Sequence, residues 1–311
     1  MAVFVVDKPL GVTSHDVVSK ARKLLKTKRV GHAGTLDPLA TGVLVVLSED
    51  ATKLSPFLTE SDKTYLTWVS FGASTPTLDA EGPIAERGDA SHLTREEVER
   101  ALPPFLELSE QLPPQYSAVK KGGVKGYEAA RKGEDLELPP RSAGYKSVQL
   151  LDFAETRDAL PQTFGPTERG WAPSEEGRTF DLPEPLAALP TALLSVEVQA
   201  GTYIRAFARD LGSALGVGAH LSGLVRTRAG RSRLEEAVGL ETLPDEQGKS
   251  KADALPYPLI QLDEQEVTRV RQGQRLGLKL TERAGLVNEA GELVAVAEPK
   301  GDRFSLLRVW Q

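Results

Sequence analysis

Residues 31–42, GHAGTLDPLATG, form the segment that most restricts how this chain can fold and act. Its glycines and Pro38 favour tight turns, and Asp37 is the one acidic residue among them. The apolar run 43–47, VLVVL, follows directly and predicts a buried strand. We therefore expect a carboxylate held in a turn at the entrance of a strand, where few side chains obstruct a ligand. An isolated Asp-Pro pair usually only shapes a turn, so a function for Asp37 needs support from the rest of the chain.

Five further segments supply that support: DKPLGVTS at 7–14, KTY at 63–65, PPQYSAVK at 113–120, GTYIR at 201–205, and GAH at 218–220 with LVRT at 224–227. Together with residues 31–42 they resemble the motifs of the TruB-type tRNA pseudouridine synthases. Any one of these motifs alone carries a real risk of a false match. Six of them in the right order, from about Val3 to Arg228, make the resemblance specific.

The resemblance also implies an architecture. It predicts an α/β (α+β) fold, with a catalytic domain at 1–243 built on a mixed, largely antiparallel sheet. An RNA-gripping insertion is expected at about 113–141, and a small β-rich, PUA-like RNA-binding domain at 256–311. Residues 157–190 interrupt the family pattern; they are rich in proline, glycine and charge, which predicts a partly mobile surface excursion with no assigned function. The proline-containing stretch 243–258 predicts a linker.

The resemblance further implies roles for individual residues. Asp37 would be the catalytic carboxylate, acting on either the sugar or the base ring, and Arg205 would pair with it to keep it ionised and oriented. The other implied substrate-binding residues are His32, Tyr65, Tyr203 and Leu224. Without the motifs, Tyr65 and Leu224 would be assigned to the core and His32 to an ordinary loop. Pro76 departs from the family, whose members commonly have Asp at that position.

Local patterns predict several of the elements. Strands are expected at 2–6, 65–71 and 192–200, the second with Tyr65, Val69 and Phe71 on one face. Ser14 is expected to cap a helix, Thr94 to begin a second helix with a capping box, and a third to start near residue 204 and end near residue 216. Two strand-like runs at 291–296 and 303–309 predict a hairpin.

The charge distribution predicts a nucleic-acid surface although the net charge is −6. Residues 20–29 contain six basic residues and no acidic one, and lead directly into the Asp37 motif. Two other basic sets are Lys120, Lys121, Lys125, Arg131 and Lys132, and then Arg226, Arg228, Arg231 and Arg233. The partner implied by the resemblance is tRNA, bound through its T-arm stem-loop and modified at position 55, by an enzyme that we expect to be a monomer.

Several classes of protein are disfavoured by what the sequence lacks. The absence of cysteine excludes disulfides and thiolate chemistry, and the histidines at 15, 32, 92 and 220 are not at metal-ligand spacing. We expect neither a metal nor a cofactor. No apolar run approaches the length of a membrane span, and the N-terminus lacks the features of a signal peptide, so a cytoplasmic protein is expected.

Three alternatives remain open at this point. A guide-RNA-dependent pseudouridine synthase is disfavoured by the 113–141 segment, which resembles the stand-alone bacterial enzymes. An RNA-binding or tRNA-folding protein with little catalysis would not need Asp37, Tyr65 and Arg205 together. A glycoside hydrolase would need a second catalytic carboxylate, and no motif supplies one.

Overall fold

The computed structural model describes residues 2–117, 119–121, 124–126, 136–168, 170–274, 276–301 and 303–311. Their helices are α1 (Ser14–Leu24), α2 (Ser55–Thr59), α3 (Arg95–Ala101), α4 (Ile204–Ala214), α5 (Lys251–Ala254) and α6 (Glu264–Arg271). Their strands are β1 (Val3–Lys8), β2 (Val30–Ala33), β3 (Ala40–Ser48), β4 (Lys63–Phe71), β5 (Ala73–Ser74), β6 (Glu86–Arg87), β7 (Glu110–Gln111), β8 (Lys120–Lys121), β9 (Val124–Lys125), β10 (Arg141–Ser142), β11 (Tyr145–Ala154), β12 (Phe164–Thr167), β13 (Gly170–Pro173), β14 (Thr191–Val198), β15 (Ala219–Ala229), β16 (Ser232–Arg233), β17 (Leu259–Gln261), β18 (Ala284–Val287), β19 (Leu293–Lys300) and β20 (Arg303–Val309).

A mixed sheet forms the centre of the molecule. Its strand order is β1-β3-β15-β4-β14-β11, with β2 added beside β3 and β16 beside β15. The pairing of β15 with β3 is parallel, whereas the other pairs in this sheet are antiparallel. The expected mixed, largely antiparallel sheet is confirmed.

The sheet separates two hydrophobic cores because alternate side chains of each strand point to opposite faces. On β4, Tyr65, Val69 and Phe71 join the core that contains α1 and α4, which we call the front face. Leu66 and Trp68 join the core on the other side, the back face. The alternation expected for residues 65–71 is therefore confirmed.

The helix termini follow the sequence signals with one correction. Thr94 forms the predicted capping box with Glu97, and the third predicted helix is α4. The cap of α1 is Thr13, which forms a capping box with Asp16, and not Ser14. Ser14 lies one residue inside the helix, where its hydroxyl is free to bond elsewhere. None of the described helices is long and apolar enough to cross a bilayer.

Residues 157–190, called here the back-face strap, are not a mere surface excursion, so that prediction is wrong. Phe164 and Trp171, on the hairpin of β12 and β13, are buried, and Phe164 packs edge-on against Trp68 with ring centroids 5.6 Å apart. Farther along, Arg178 donates to the Asp7 carboxylate at 2.6 Å, so the strap reaches β1 at the opposite edge of the sheet. The sequence did not predict this burial, because the apolar residues of the strap are isolated between prolines and follow neither a helical nor a strand periodicity.

The C-terminal strands β17 to β20 form a separate four-stranded sheet, with a small core of its own around α6. The hairpin expected at 291–309 is confirmed as β19 and β20. The stretch predicted as a linker is packed, since Leu243 and Leu255 are fully buried and the Lys249 amide donates to Val3. The domain limits of 1–243 and 256–311, and the PUA-like character of the second domain, stay predictions.

Trp310 anchors the C-terminal sheet to the rest of the protein. Its buried indole joins the back-face core with Val3, and its Nε1 donates to the Asp50 carbonyl at 3.3 Å. The Lys251 ammonium lies 5.8 Å from the ring centroid and forms an ion pair with Asp50. Removing the indole would therefore open a cavity between the two sheets.

We expect Trp310→Ala to lower the free energy of unfolding by about 3–5 kcal/mol, the usual cost of truncating a buried aromatic side chain. Urea unfolding followed by circular dichroism measures this change. Leu259→Ala, at an exposed position of β17, is the control and should change stability little. Equal effects of the two substitutions would show that Trp310 does not join the sheets.

Candidate active site

Asp37 lies in the turn that connects β2 to β3. Its carbonyl accepts the amide of Ala40 at 3.1 Å, which begins β3, and its side chain remains 36% exposed. The carboxylate faces a cavity of about 800 Å³, a volume typical of ligand sites. The arrangement expected from residues 31–47 is thus present in the structure.

The 7–14 motif holds this turn in place. Ser14 Oγ donates to the carbonyl of Leu36 at 3.0 Å and accepts its amide at 2.8 Å. The Gly11 amide donates to the carbonyl of Pro38 at 2.9 Å, and the Lys8 ammonium lies 3.4 Å from the same oxygen. Lys8 is fully buried, and burial lowers the pKa of its amine to about 8.

Arg226 supports the turn from the β15 side. Its guanidinium donates to the carbonyls of Val43 at 2.7 Å, Gly34 at 3.0 Å and Thr35 at 3.3 Å. Gly42 makes the approach of β15 possible, because its φ is +91° and a Cβ there would lie 2.4 Å from the Arg226 carbonyl oxygen. The strands carrying the turn and the arginine can therefore pair closely only with glycine at position 42.

Arg205 forms an ion pair with Asp37, as predicted. Its Nε lies 2.8 Å from Asp37 Oδ2, and the arginine side chain is only 8% exposed. The two terminal nitrogens donate to the carbonyls of Thr77 at 3.1 Å and Tyr116 at 3.0 Å. Arg205 lies in the first turn of α4. Its guanidinium cannot move away from Asp37 without breaking the bonds to Thr77 and Tyr116.

Asp79 is a second carboxylate on the same guanidinium, and no sequence argument above identified it. Its Oδ2 lies 3.7 Å from Arg205 Nε, and its side chain is 2% exposed. Thr77 Oγ1 donates to it at 2.6 Å and the Glu81 amide at 3.0 Å. Burial raises the pKa of the Asp79 carboxyl, against the opposing effects of Thr77 and Arg205.

The other predicted site residues meet at this cavity, with one exception. Tyr65 from β4, Tyr203 from the start of α4 and Leu224 from β15 line it together with Asp37 and Arg205. Burial raises the pKa of the Tyr203 hydroxyl.

His32 lies on β2 and is not among the described residues lining the cavity. Its Nδ1 is buried without a hydrogen-bond partner in the described part of the chain. Burial lowers the pKa of His32, and the nearby charge of Arg226 lowers it further. The structure therefore places His32 beside the turn rather than in the cavity with Asp37.

The predicted basic surfaces have different outcomes. In the first run, Lys23, Lys26, Lys28 and Arg29 are exposed. In the second run, Arg131 and Lys132 lie outside the described residues, as do the side chains of the three lysines. The third run does not form one surface, because β15 has a register shift between Arg226 and Arg228. Arg226 points to the front face. Arg228 points to the back face, where it pairs with Glu197 beside a second cavity.

Within the described part of the chain, no group of three or more histidine, aspartate or glutamate side chains is arranged to hold a metal ion. His220, in the 218–220 motif, is buried, and its Nδ1 lies 2.9 Å from the carbonyl of Ala73. That bond ties β15 to β5, which is a structural role.

Family models match two parts of the chain. Residues 22–163 match the N-terminal domain of the TruB family pseudouridylate synthases, and residues 205–264 match the tRNA pseudouridylate synthase B C-terminal domain. The chain belongs to the TruB family. Residues 164–204 fall between the two matched ranges and include most of the back-face strap.

Curated relatives in this family are similar along the whole chain. The tRNA pseudouridine synthase B of Thermus thermophilus is 51% identical over 311 residues, covering 100% of this chain and 99% of the relative. That of Deinococcus radiodurans is 49% identical over 310 residues and covers 100% of both chains. A solved structure, the crystal structure of a Cbf5-Nop10-Gar1 complex, has a chain that matches with a TM-score of 0.68 and 25% identity, covering 100% of this chain and 85% of that one.

We expect Asp79→Asn to lower turnover of this TruB-family protein about 100-fold, because the guanidinium that orients Asp37 would lose one of its two carboxylates. The amide oxygen can still accept the bonds from Thr77 and Glu81, so the turn should survive. Single-turnover kinetics measures the effect.

Asp89→Asn is the matched control for this substitution. Asp89 accepts the same kind of local bonds, from the amide and hydroxyl of Ser91, but it is exposed and pairs with no arginine in the described chain. Equal activity of the Asp79 and Asp89 variants would contradict a role for Asp79 in orienting Arg205.

Proposed function

We propose that this chain converts uridine to pseudouridine at position 55, in the T-arm of tRNA. By family it is a pseudouridine synthase, an isomerase, and its full-length relatives carry the name tRNA pseudouridine synthase B. The observation that carries the proposal is the Asp37–Arg205 ion pair at a cavity lined by Tyr65, Tyr203 and Leu224. The site combines a fixed carboxylate with surfaces suited to an unstacked base.

The reaction explains why such a site is useful. The N-glycosidic bond of uridine breaks, the uracil turns, and a carbon–carbon bond to the sugar replaces the bond that was lost. Atoms and electrons balance within the nucleotide, so no redox cofactor takes part. The base must first leave its stack, which costs a few kcal/mol and requires a pocket that compensates by stacking and hydrogen bonding.

Asp37 is the catalytic residue in this proposal. A carboxylate can form a covalent intermediate or stabilise positive charge at the sugar only when it is ionised and correctly placed. The adjacent Arg205 orients the carboxylate, and the bonds from Ser14, Lys8 and Arg226 restrict the turn that carries Asp37. Attack on the sugar and attack on the base ring are both compatible with this geometry.

The remaining residues would bind the flipped nucleotide. Tyr65 would stack on the uracil and assist the final removal of a proton, while Tyr203 and Leu224 would form the walls of the pocket. His32, which lies outside the cavity lining, would occupy the space vacated by the base within the RNA loop. Burial lowers the pKa of His32, and this favours the neutral imidazole, which suits stacking among bases.

The wider setting follows from the substrate. A single chain contains Asp37, Arg205 and the pocket walls, so we propose a monomer acting on tRNA in the cytoplasm. The C-terminal sheet, placed where relatives carry an accessory RNA-binding domain, is proposed to contact the tRNA outside the T-loop. Exposed cations at 23–29 would add phosphate contacts.

A glycoside hydrolase is disfavoured by the carboxylates of the cavity. Such enzymes need two carboxyl groups that both reach the substrate. Among the described residues that line the cavity, Asp37 is the only acidic one. Asp79 is not part of this lining, and its side chain is buried. A second carboxylate that can touch a bound sugar is therefore missing from the described lining.

We expect Asp37→Asn to bind a T-arm stem-loop normally but to lower kcat by more than about 10³-fold, the scale on which loss of an essential catalytic group acts. Pseudouridine-specific chemical labelling of an unmodified tRNA transcript measures the product. Asp210→Asn, on the same helix as Arg205, is the control and should retain activity. Appreciable turnover by the Asp37 variant would refute its catalytic role, and modification of another RNA in preference to the T-arm would refute the proposed substrate.

The exposed cations make a separate prediction. Replacing both Lys28 and Arg29 with Glu should weaken tRNA binding. If each residue contacts one phosphate, the slope of log affinity against log salt concentration should become smaller in magnitude by about 1.5–2. Fluorescence titration between low and moderate salt gives the slope. Arg100→Glu, at an exposed site outside the basic runs, should leave the slope unchanged. An unaltered slope in the double variant would place residues 28 and 29 on a solvated face.

A further inference from the structure

Two buried cations lie beneath the turn that carries Asp37. Lys63, at the start of β4, is 6% exposed, and Arg226 is 1% exposed. Their hydrogen bonds go to backbone carbonyls: Lys63 donates to Thr59 and Ser61, and Arg226 to Val43, Gly34 and Thr35. Asp62, the carboxylate that influences Lys63, forms its ion pair with Lys146 instead.

The carbonyls satisfy hydrogen bonds without neutralising the charge. Carbonyl dipoles compensate a buried cation only in part, and burying two like charges together adds repulsion. The pKa of the Lys63 amine accordingly falls to about 8, through burial first and then the charge of Arg226. The structure thus keeps a positive region of high free energy beside the catalytic turn, which an anion from outside would stabilise.

The two cations lie against the same cavity as Asp37. Both are among its lining residues. Gly34 lies between them: its φ is +84°, and a Cβ at this position would lie 3.6 Å from Arg226 Nη1 and 3.7 Å from Lys63 Cε. Because glycine has no side chain, no Cβ occupies the space next to the two cations at position 34.

We propose that Lys63 and Arg226 form a subsite for one backbone phosphate of the RNA, at a linkage that flanks the flipped uridine. This rests on the proposed function. Phosphate is the anionic group of RNA, and each nucleotide that enters the cavity brings one with it on either side of its sugar. An Arg–Lys pair recognises such a group by charge-assisted hydrogen bonds. Binding would fix the sugar against Asp37 and supply the missing counter-charge.

The competing explanation is that both cations only fasten the turn through its carbonyls. A purely structural pair would affect kcat and thermal stability when removed, whichever RNA is used. A phosphate subsite would instead raise KM, and its effect would depend on the charge of one particular linkage. The two explanations therefore differ in the response to the substrate.

The test uses T-arm stem-loops in which a neutral methylphosphonate replaces one of the two phosphates that flank the target uridine. With the wild-type protein, we expect one replacement to raise KM about tenfold or more, with kcat at saturating RNA nearly unchanged. With Lys63→Gln, KM for the unmodified stem-loop should already be raised, and the same replacement should add little. Such non-additivity is the signature of a direct contact.

Lys251→Gln is the matched control, since Lys251 is also partly buried but pairs with Asp50 outside the cavity. It should keep the full sensitivity to the neutral linkage even if its stability falls. Arg226→Lys, which retains a positive charge, should keep part of the sensitivity and provides a second variant if Lys63→Gln does not fold.

Two results would overturn the subsite. One is that neither neutral linkage raises KM for the wild-type protein. The other is that the increase in KM is the same in wild type and in Lys63→Gln or Arg226→Lys. Pseudouridine formation on the unmodified stem-loop reports separately on the proposed function, so failure of the subsite and failure of the activity are distinguishable.

Discussion

The ion pair between Arg205 and Asp37 depends on a guanidinium that is almost completely removed from water. A buried arginine is costly unless its charge is compensated, and here Asp37, Asp79 and two carbonyls surround it. Those partners come from the turn after β2, the segment around residue 79 and the residues that follow β7. Fixing one side chain therefore requires parts of the chain that are far apart in sequence to be folded correctly together.

The turn that carries Asp37 is fixed in the same way. It receives bonds from Lys8 and Ser14 on one side and from Arg226 on the other, all directed to backbone atoms. Backbone contacts of this kind restrict position without occupying the carboxylate. The result is a partly exposed carboxylate on a fixed support, as the proposed role of Asp37 against a sugar or a base requires.

The two faces of the sheet serve different purposes. The front face carries the cavity, whereas the back face is covered by the strap and by the C-terminal sheet through Trp310. The register shift between Arg226 and Arg228 separates the two faces within one strand, since it sends one arginine toward the cavity that Asp37 lines and the other toward Glu197. A regular strand would have placed both on the same face.

The sequence by itself determined the family and the strands with clear alternation, because these depend on local motifs and on a period that can be read directly. The pairing of Asp37 with Arg205 was expected only because the family resemblance implied it. The sequence did not reveal Asp79, the support from Lys8 and Arg226, or the burial of the strap. Each of these depends on contacts between residues distant along the chain, on a bulge that changes the face of a strand, or on isolated apolar residues between prolines. Only the tertiary structure decides such features, because burial and charge compensation belong to the packed arrangement and not to any single segment.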